Sequence, residues 1–432
     1  MISLGRLAIQ SLRYRKLTLV LSLSSIALSV ILLLGVERIR QQVHDSFSST
    51  ISGTDLIVGA RTGNVSLLLS SVFHIGYVNQ NVSYESYEHI SSMPEVAWSI
   101  PLSLGDSHKG YAVLGTTEAY FEHFRFGRDQ KLEAKEGELS VEHMGVVLGA
   151  GVAEELGYEM GDPLVVTHGM GEESFIEHED EPFTVAGILK PTGTPVDRTV
   201  HVSLFAMGEI HDHFYNPEAG SSDPLADALA LHMEEKDGAH VHSRQEDAPE
   251  TLTAFMLGLN SPSDILMMQR RLNTHEEEAL TAIMPVVTLM ELWSVVGPVE
   301  KALLIISILV LIVAFGGMLT TIMTSLNERR REMAILRSVG AKPGHVFRLI
   351  IQESMGVTLG GILAGAIIVQ LLILLFSPSI SSRFGIHMNA GWFTLTELAM
   401  MGIILMGGLL LGILPAYRSY RNSLADGLTI KI

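Results

Sequence analysis

The sequence of 432 residues contains no cysteine, which excludes disulfide bonds, thiolate metal ligands and cysteine nucleophiles. Three short catalytic patterns are also missing from it. There is no G-x-x-x-x-G-K-[ST] loop to hold the phosphates of ATP and no H-E-x-x-H zinc motif. There is no G-x-S-x-G elbow for a serine nucleophile either. We therefore predict that the chain is not an enzyme and binds no ATP itself.

Charged side chains are absent from four long apolar stretches. These stretches are Leu17–Val36, Ala302–Leu326, Ser354–Ser382 and Leu398–Tyr417, of 20, 25, 29 and 20 residues. About 20 apolar residues are enough for a helix to cross a bilayer, and a helix satisfies its own backbone there. We predict transmembrane helices at 17–36, 302–326, 354–377 and 398–417, with Pro378 ending the third one early.

Basic residues cluster in three segments that would share one side of the membrane. They are the arm at 1–16, the loop at 327–353 and the tail at 418–432. Because basic loops stay in the cytoplasm, both termini are predicted to be cytoplasmic. Residues 37–300 and the short loop at 378–397 are then outside.

The large outside segment is strongly acidic and has the pattern of a mixed α/β domain. Residues 41–300 hold 41 acidic and 12 basic side chains, a balance that repels nucleic acid. Short runs rich in β-branched residues alternate with short helical patterns, while residues 207–250 are rich in histidine, acid, glycine and proline. The predicted fold class is an α-helical membrane protein with four transmembrane helices and a mixed α/β periplasmic domain inserted between helices 1 and 2.

Fifteen of the 17 histidines lie in this outside segment, and two pairs flank its acidic part. The pairs are His211 with His213 and His240 with His242. On a strand, residues two apart face the same way, and imidazole is a good ligand for Zn²⁺. Two interpretations stay open: a zinc site, and a solvated acidic loop that happens to contain histidines.

Three G-x-x-x-G pairs occur in the last two apolar stretches. They are Gly356 with Gly360, Gly361 with Gly365, and Gly408 with Gly412. Such pairs permit close packing of membrane helices. The contact could lie within one subunit or between two copies.

The loop after the second span, "NERRREMAILRSVGAKPGHVF", resembles the signature of the MacB/FtsX/LolC-type ABC transporter permeases. The tail "LPAYRSYR" resembles the closing segment of that family, and the layout of one span, a large outside domain and three spans is also similar. The resemblance implies a coupling helix that docks on a cytoplasmic ATPase. Its coupling residues are Arg330, Arg331, Glu332, Ile335, Leu336, Arg337 and Gly340.

The resemblance also implies a location and partners. The chain is expected in the bacterial inner membrane, with a cytoplasmic ABC ATPase dimer that binds the ATP and a second permease copy or a homologue. A periplasmic binding or adaptor protein is a further expected partner. In this family, ATP hydrolysis moves the periplasmic domains, which is called mechanotransmission. The alternative function is an FtsX-like scaffold that regulates a periplasmic hydrolase.

Overall fold

A computed structural model describes residues 16–76, 80–142, 144–168, 182–207, 249–328, 342–384 and 391–421. Contacts divide the chain into two compact units. The first unit comprises residues 1–42, 296–378 and 388–432, and the second comprises residues 43–295 and 379–387. The first is a helix bundle, and the second is built around a β-sheet.

Four long helices are long and apolar enough to cross a membrane. Helix α1 spans Lys16–Ser49, and the other three are α7 (Pro285–Glu328), α8 (Pro343–Phe384) and α9 (Leu395–Arg421). Each helix is longer than the charge-free stretch from which it was predicted. The helical backbone continues at the ends into amphipathic sequence. The predicted fold class, four membrane helices with an α/β domain between the first two, is confirmed.

The third membrane helix does not end at Pro378, contrary to the sequence-based prediction. Helix α8 continues to Phe384. A proline removes one backbone N–H, and membrane helices tolerate such a loss where neighbouring groups compensate for it. Helices α7 and α9 likewise contain an internal proline, at Pro298 and Pro415.

The second unit contains one sheet of eleven strands. The main order is β15-β1-β14-β3-β4-β12-β8-β11-β7, with β10 paired to β3 and β9 paired to β11. The strands of this order are β15 (Leu280–Ile283), β1 (Leu56–Ala60), β14 (Ala254–Leu259), β3 (Val96–His108), β4 (Tyr111–Thr116), β12 (Thr199–Ser203), β8 (Gly145–Leu148), β11 (Phe183–Leu189) and β7 (Ala134–Gly137). The two short extra strands are β9 (Pro163–Leu164) and β10 (Thr167–His168). Among the described pairs, β4–β12 and β8–β11 are parallel, and the rest of this sheet is antiparallel.

Short helices and two-stranded pairs complete this unit. The helices are α2 (Asn64–Phe73), α3 (Tyr84–Ser91), α4 (Ala119–His123), α5 (Ala150–Leu156) and α6 (Ile265–Asn273). The pairs join β2 (Val82–Ser83) to β13 (Thr251–Leu252) and β5 (Arg125–Phe126) to β6 (Gln130–Lys131). Helix α6 also covers the outer edge of the sheet, since the Asn273 side chain accepts a hydrogen bond of 2.7 Å from the Ala282 N–H.

The sheet has apolar residues on both faces, as expected for strands covered on two sides. On β12, Val200 and Val202 belong to one buried cluster. His201 points the opposite way, against Tyr120 of a second cluster. Alternation along a strand produces this division.

Candidate functional site

Both sets of site residues predicted from the sequence lie outside the described residues. The coupling residues Arg330, Arg331, Glu332, Ile335, Leu336, Arg337 and Gly340 fall between residues 328 and 342. The histidines His211, His213, His240 and His242 fall between residues 207 and 249. Both assignments therefore stay predictions. Among the residues that are described, no group of three or more His, Cys, Asp or Glu could hold a metal ion.

Helices α1 and α8 pack closely along a glycine face. A Cβ added at Gly361 would lie 2.6 Å from Ile26 Cγ2, and one at Gly365 would lie 2.7 Å from Val30 Cβ. Real Cβ atoms do not approach other atoms this closely, so a larger side chain would push the helices apart. The Gly361 and Gly365 pair therefore contacts another helix of the same chain.

Helices α8 and α9 meet through a second glycine face and a hydrogen bond. A Cβ at Gly412 would lie 2.7 Å from Ser354 Oγ, and one at Gly408 would overlap Thr358. The buried Ser354 hydroxyl donates a 2.7 Å hydrogen bond to the Gly408 carbonyl oxygen. Interhelical hydroxyl bonds of this kind stabilise membrane bundles. The third pair differs, because the space around Gly356 is open to 4 Å.

A buried ion pair joins three of these helices. Arg38 of α1 donates from Nε to Glu397 Oε1 of α9 at 2.7 Å, and from Nη2 to Glu397 Oε2 at 2.9 Å. Its Nη1 donates to Gln370 Oε1 of α8 at 2.8 Å. The Arg38 side chain is 6% exposed and that of Glu397 is 0% exposed. This two-bond geometry is the strongest arrangement available to a guanidinium and a carboxylate.

Glu397 also forms the N-terminal cap of α9. Its Oε2 accepts a 2.7 Å hydrogen bond from the Thr394 backbone N–H, and the Thr394 hydroxyl accepts one of 3.3 Å from the Glu397 N–H. This reciprocal arrangement is a capping box, whose T-x-x-E pattern is visible in the sequence as "TLTE". Phe393 adds a cation–π contact, with its ring centre 5.2 Å from the Arg38 guanidinium. The cap therefore fixes the carboxylate that Arg38 binds.

A second ion pair lies next to the first but within one helix. The buried Glu37 accepts two hydrogen bonds from Arg40, of 3.0 and 2.7 Å, and one of 2.8 Å from Gln41 Nε2. Arg40 is more exposed than Arg38, with 37% of its side chain accessible. Two carboxylates and two guanidiniums thus form a polar layer at one end of the bundle, and their formal charges balance.

In the second unit, two histidines are held neutral inside the fold. His201 Nδ1 lies 3.1 Å from the Val147 carbonyl oxygen, while its buried Nε2 has no hydrogen-bond partner within the described residues. Burial lowers the pKa of His201 to about 3. His74 Nδ1 lies 3.1 Å from the Thr199 hydroxyl, and burial lowers the pKa of His74 to about 4. The sequence does not single out these histidines, because His201 is buried by the pairing of β12 with its neighbours and His74 lies directly after α2.

The segment "KPTGTPVDR" in the second unit is organised by one buried carboxylate. Asp197 accepts hydrogen bonds from the Thr192 N–H, at 2.8 and 3.1 Å, and from the Gly193 N–H at 2.7 Å. It also accepts one of 2.9 Å from the Thr192 hydroxyl. Gly149 lies against this turn so closely that a Cβ there would overlap Val196 O. The turn positions the start of β12 beside β8.

Taken together, four helices of membrane-spanning length and an α/β domain inserted after the first define a polytopic membrane protein. Close glycine packing and a polar layer at one end give the first unit its internal order. The second unit provides a large water-facing domain.

Comparison with known families identifies the class further. A model described as the FtsX-like permease C-terminal matches residues 304–424, and one described as the MacB-like periplasmic core domain matches residues 17–242. The second match covers more than half of the chain. The chain therefore belongs to the MacB/FtsX-type ABC transporter permeases, and its α/β domain is periplasmic. Proteins of this family are bacterial membrane components that work with an ATPase and are generally not enzymes themselves.

Two solved structures, each of a periplasmic or extracellular domain, are similar to part of this chain. The periplasmic region of MacB from Actinobacillus actinomycetemcomitans is 13% identical, with a TM-score of 0.31, and the match covers 56% of this chain and 94% of that one. The extracellular domain of the noncanonic ABC-type transporter YknZ from Gram-positive bacteria is 12% identical, with a TM-score of 0.27 and coverage of 47% and 89%. The family assignment rests on the two family models and not on these distant likenesses. No curated protein matches the chain significantly.

Proposed function

We propose that the chain is a permease subunit that couples ATP hydrolysis by a separate ATPase to movements of its periplasmic domain. The observation that carries this proposal is the joint match to both permease family models. The lengths of two helices support it. Helix α1 continues to Ser49 and α7 begins at Pro285, each well outside the apolar stretch at Leu17–Val36 or Ala302–Leu326. A helix without an internal proline, such as α1, can pass a displacement along its axis because its backbone hydrogen bonds resist local bending.

The proposed docking element for the ATPase is the segment between Arg330 and Gly340. Its basic cluster and its apolar residues suit a short amphipathic helix at the membrane surface. This role places the N-terminal arm, the coupling loop and the tail in the cytoplasm. The proposed assembly contains an ATPase dimer and two permease copies, or one copy and a homologue.

Co-purification from native membranes tests this function against its alternative. A permease is expected to bring down a P-loop ATPase, together with a periplasmic binding or adaptor protein. The FtsX-like C-terminal match keeps a second role open, in which the chain regulates a periplasmic hydrolase. Recovery of a hydrolase with the ATPase would support that second role. Recovery of neither an ATPase nor a hydrolase would contradict both.

Zinc binding by the periplasmic domain is a separate proposal. It rests on His211, His213, His240 and His242, which flank an acidic segment. Zinc ligands must be deprotonated, so affinity should fall as the pH drops through about 6.5. Calorimetry with Zn²⁺ on the wild-type chain and on the fourfold His→Ala variant tests this proposal. Equal affinities in the two proteins would contradict it.

A further inference from the structure

Burying the ion pair between Arg38 and Glu397 has a free-energy cost that an apolar contact between the same helices would not have. Taking both charges out of water carries a large desolvation penalty, and their mutual attraction often does no more than offset it. An apolar pair of the same volume would hold two helices together equally well. Charged side chains are common just outside a membrane span, but they are seldom fully buried there, as Arg38 and Glu397 are.

The contacts of Arg38 show what this pair could do. All three guanidinium nitrogens donate: two to Glu397 of α9 and one to Gln370 of α8. Arg38 lies where α1 leaves its charge-free stretch, two residues after Val36. Glu397 lies in the first turn of α9 and is held by its own cap. The pair thus ties the start of α9 to α1 at the point where α1 passes beyond the apolar stretch.

Directionality distinguishes this contact from the apolar packing elsewhere in the bundle. The free energy of apolar burial is non-directional and depends mainly on the area removed from water. A two-bond guanidinium–carboxylate contact fixes both distance and angle. A lysine could not replace Arg38, because an ammonium group cannot make the same planar fork.

We propose that the Arg38–Glu397 pair is a positioning contact of the transport cycle, in which it makes α1 follow α9 when the ATPase moves the bundle. This inference rests on the proposed permease function. Neither residue touches nucleotide or substrate in this role. The pair transmits displacement to residues 39–49, the outer part of α1.

The test uses the full chain with its ATPase in lipid nanodiscs, with and without vanadate-trapped nucleotide. Hydrogen exchange of residues 39–49 reports the response of α1, and phosphate release reports hydrolysis. The variants are R38Q, E397Q and the double variant R38Q/E397Q. Glutamine at position 397 can still form the capping box, so the start of α9 should be preserved.

A matched control comes from the neighbouring pair. R40Q removes the ion pair between Arg40 and Glu37, both of which lie on α1. This variant removes one positive charge from the same polar layer. It is expected to keep the nucleotide-dependent change in exchange.

The double variant separates coupling from stability. Each single variant leaves one buried charge without its partner and should be destabilised, whereas the double variant leaves none and should recover its thermal stability. We expect R38Q/E397Q to melt like the wild type, and we expect its ATPase partner to hydrolyse ATP. Its nucleotide-dependent exchange difference in residues 39–49 should nevertheless be reduced about tenfold.

Two results would overturn the inference, and only the second would also contradict the proposed permease function. If R38Q/E397Q responds to nucleotide as the wild type does, the pair is merely structural and the permease function still stands. If the wild-type complex shows neither ATPase association nor any nucleotide response, the proposed function fails together with the inference.

Discussion

At the scale of single residues, the buried histidines of the periplasmic domain make its stability sensitive to acid. His201 binds a proton near pH 6.5 when unfolded, but its folded pKa is about 3. Between these values the unfolded chain holds more protons than the folded one. Linkage then requires the free energy of unfolding to fall as the pH drops from 6.5 towards 3. The stability from keeping His201 neutral is fully present only above pH 6.5.

His201→Gln should flatten this pH dependence. Glutamine can still donate to the Val147 carbonyl oxygen but does not titrate. Between pH 6.5 and pH 5 the wild type should lose about 2 kcal/mol more than the variant. Urea unfolding of the full chain in detergent, followed by Trp98 fluorescence with Trp293 and Trp392 replaced by phenylalanine, measures the difference.

The exposed His89 provides the control for this experiment. His89→Gln should keep the wild-type pH dependence, because the His89 side chain remains in contact with water in the folded protein. An identical acid response in the His201 variant and the wild type would show that His201 does not cause it.

At the scale of helices, the G-x-x-x-G pairs differ in what they contact. Gly361 and Gly365 face α1, and Gly408 and Gly412 face α8, so these two pairs pack within the chain. The sequence left open whether such pairs join helices of one chain or of two. The spacing of two glycines indicates that another helix can approach closely, but it does not identify which helix.

Gly365→Val should destabilise the bundle by about 1–3 kcal/mol, the usual cost of overpacking. The added side chain would collide with Val30 and with the Ala27 carbonyl oxygen. Gly356→Val is the matched control, since the space around Gly356 is open. Thermal unfolding of the purified chain in detergent compares the two variants. Equal stability of both would contradict the packing described for α1 and α8.

Some elements could be predicted from the sequence for clear physical reasons. A run of 20 or more residues without charge identifies a span, and runs such as "FTVAGIL" and "TVHVSL" became β11 and β12. The short strand β1 was not predicted, although all five of its residues are buried. The stretch from Ser263 to Val296 has a pattern typical of helices, but β15 interrupts it at Leu280–Ile283. Four-residue strands carry too little periodicity to be recognised alone.

The ion pair illustrates a second limit of prediction from sequence. Arg38 and Glu397 are 359 residues apart, and each lies just outside a charge-free stretch, where charged residues are common. The capping box "TLTE" could have been recognised, since its spacing is local. The contact of Glu397 with Arg38 could not have been recognised, because nothing in the sequence pattern specifies which helices are neighbours.

At the scale of the whole molecule, the proposed topology has four membrane crossings and cytoplasmic termini. A reporter enzyme that works only outside the cytoplasm should be active when inserted after Ser221. The same reporter should be inactive when fused after Ile432. Activity at the C-terminus would mean that one of the four apolar helices does not cross the membrane.

Coupling to an ATPase is the central claim, and its most direct measurement is the hydrolysis rate of the co-purified ATPase with and without the chain in nanodiscs. The wild-type chain should change that rate. The double variant Glu332→Ala with Arg337→Ala should insert normally and reduce the effect about tenfold, since it removes charged groups from the proposed docking helix. Arg348→Ala, an exposed basic residue on α8, is the control and should behave as the wild type. A double variant that binds and stimulates the ATPase normally would contradict the account.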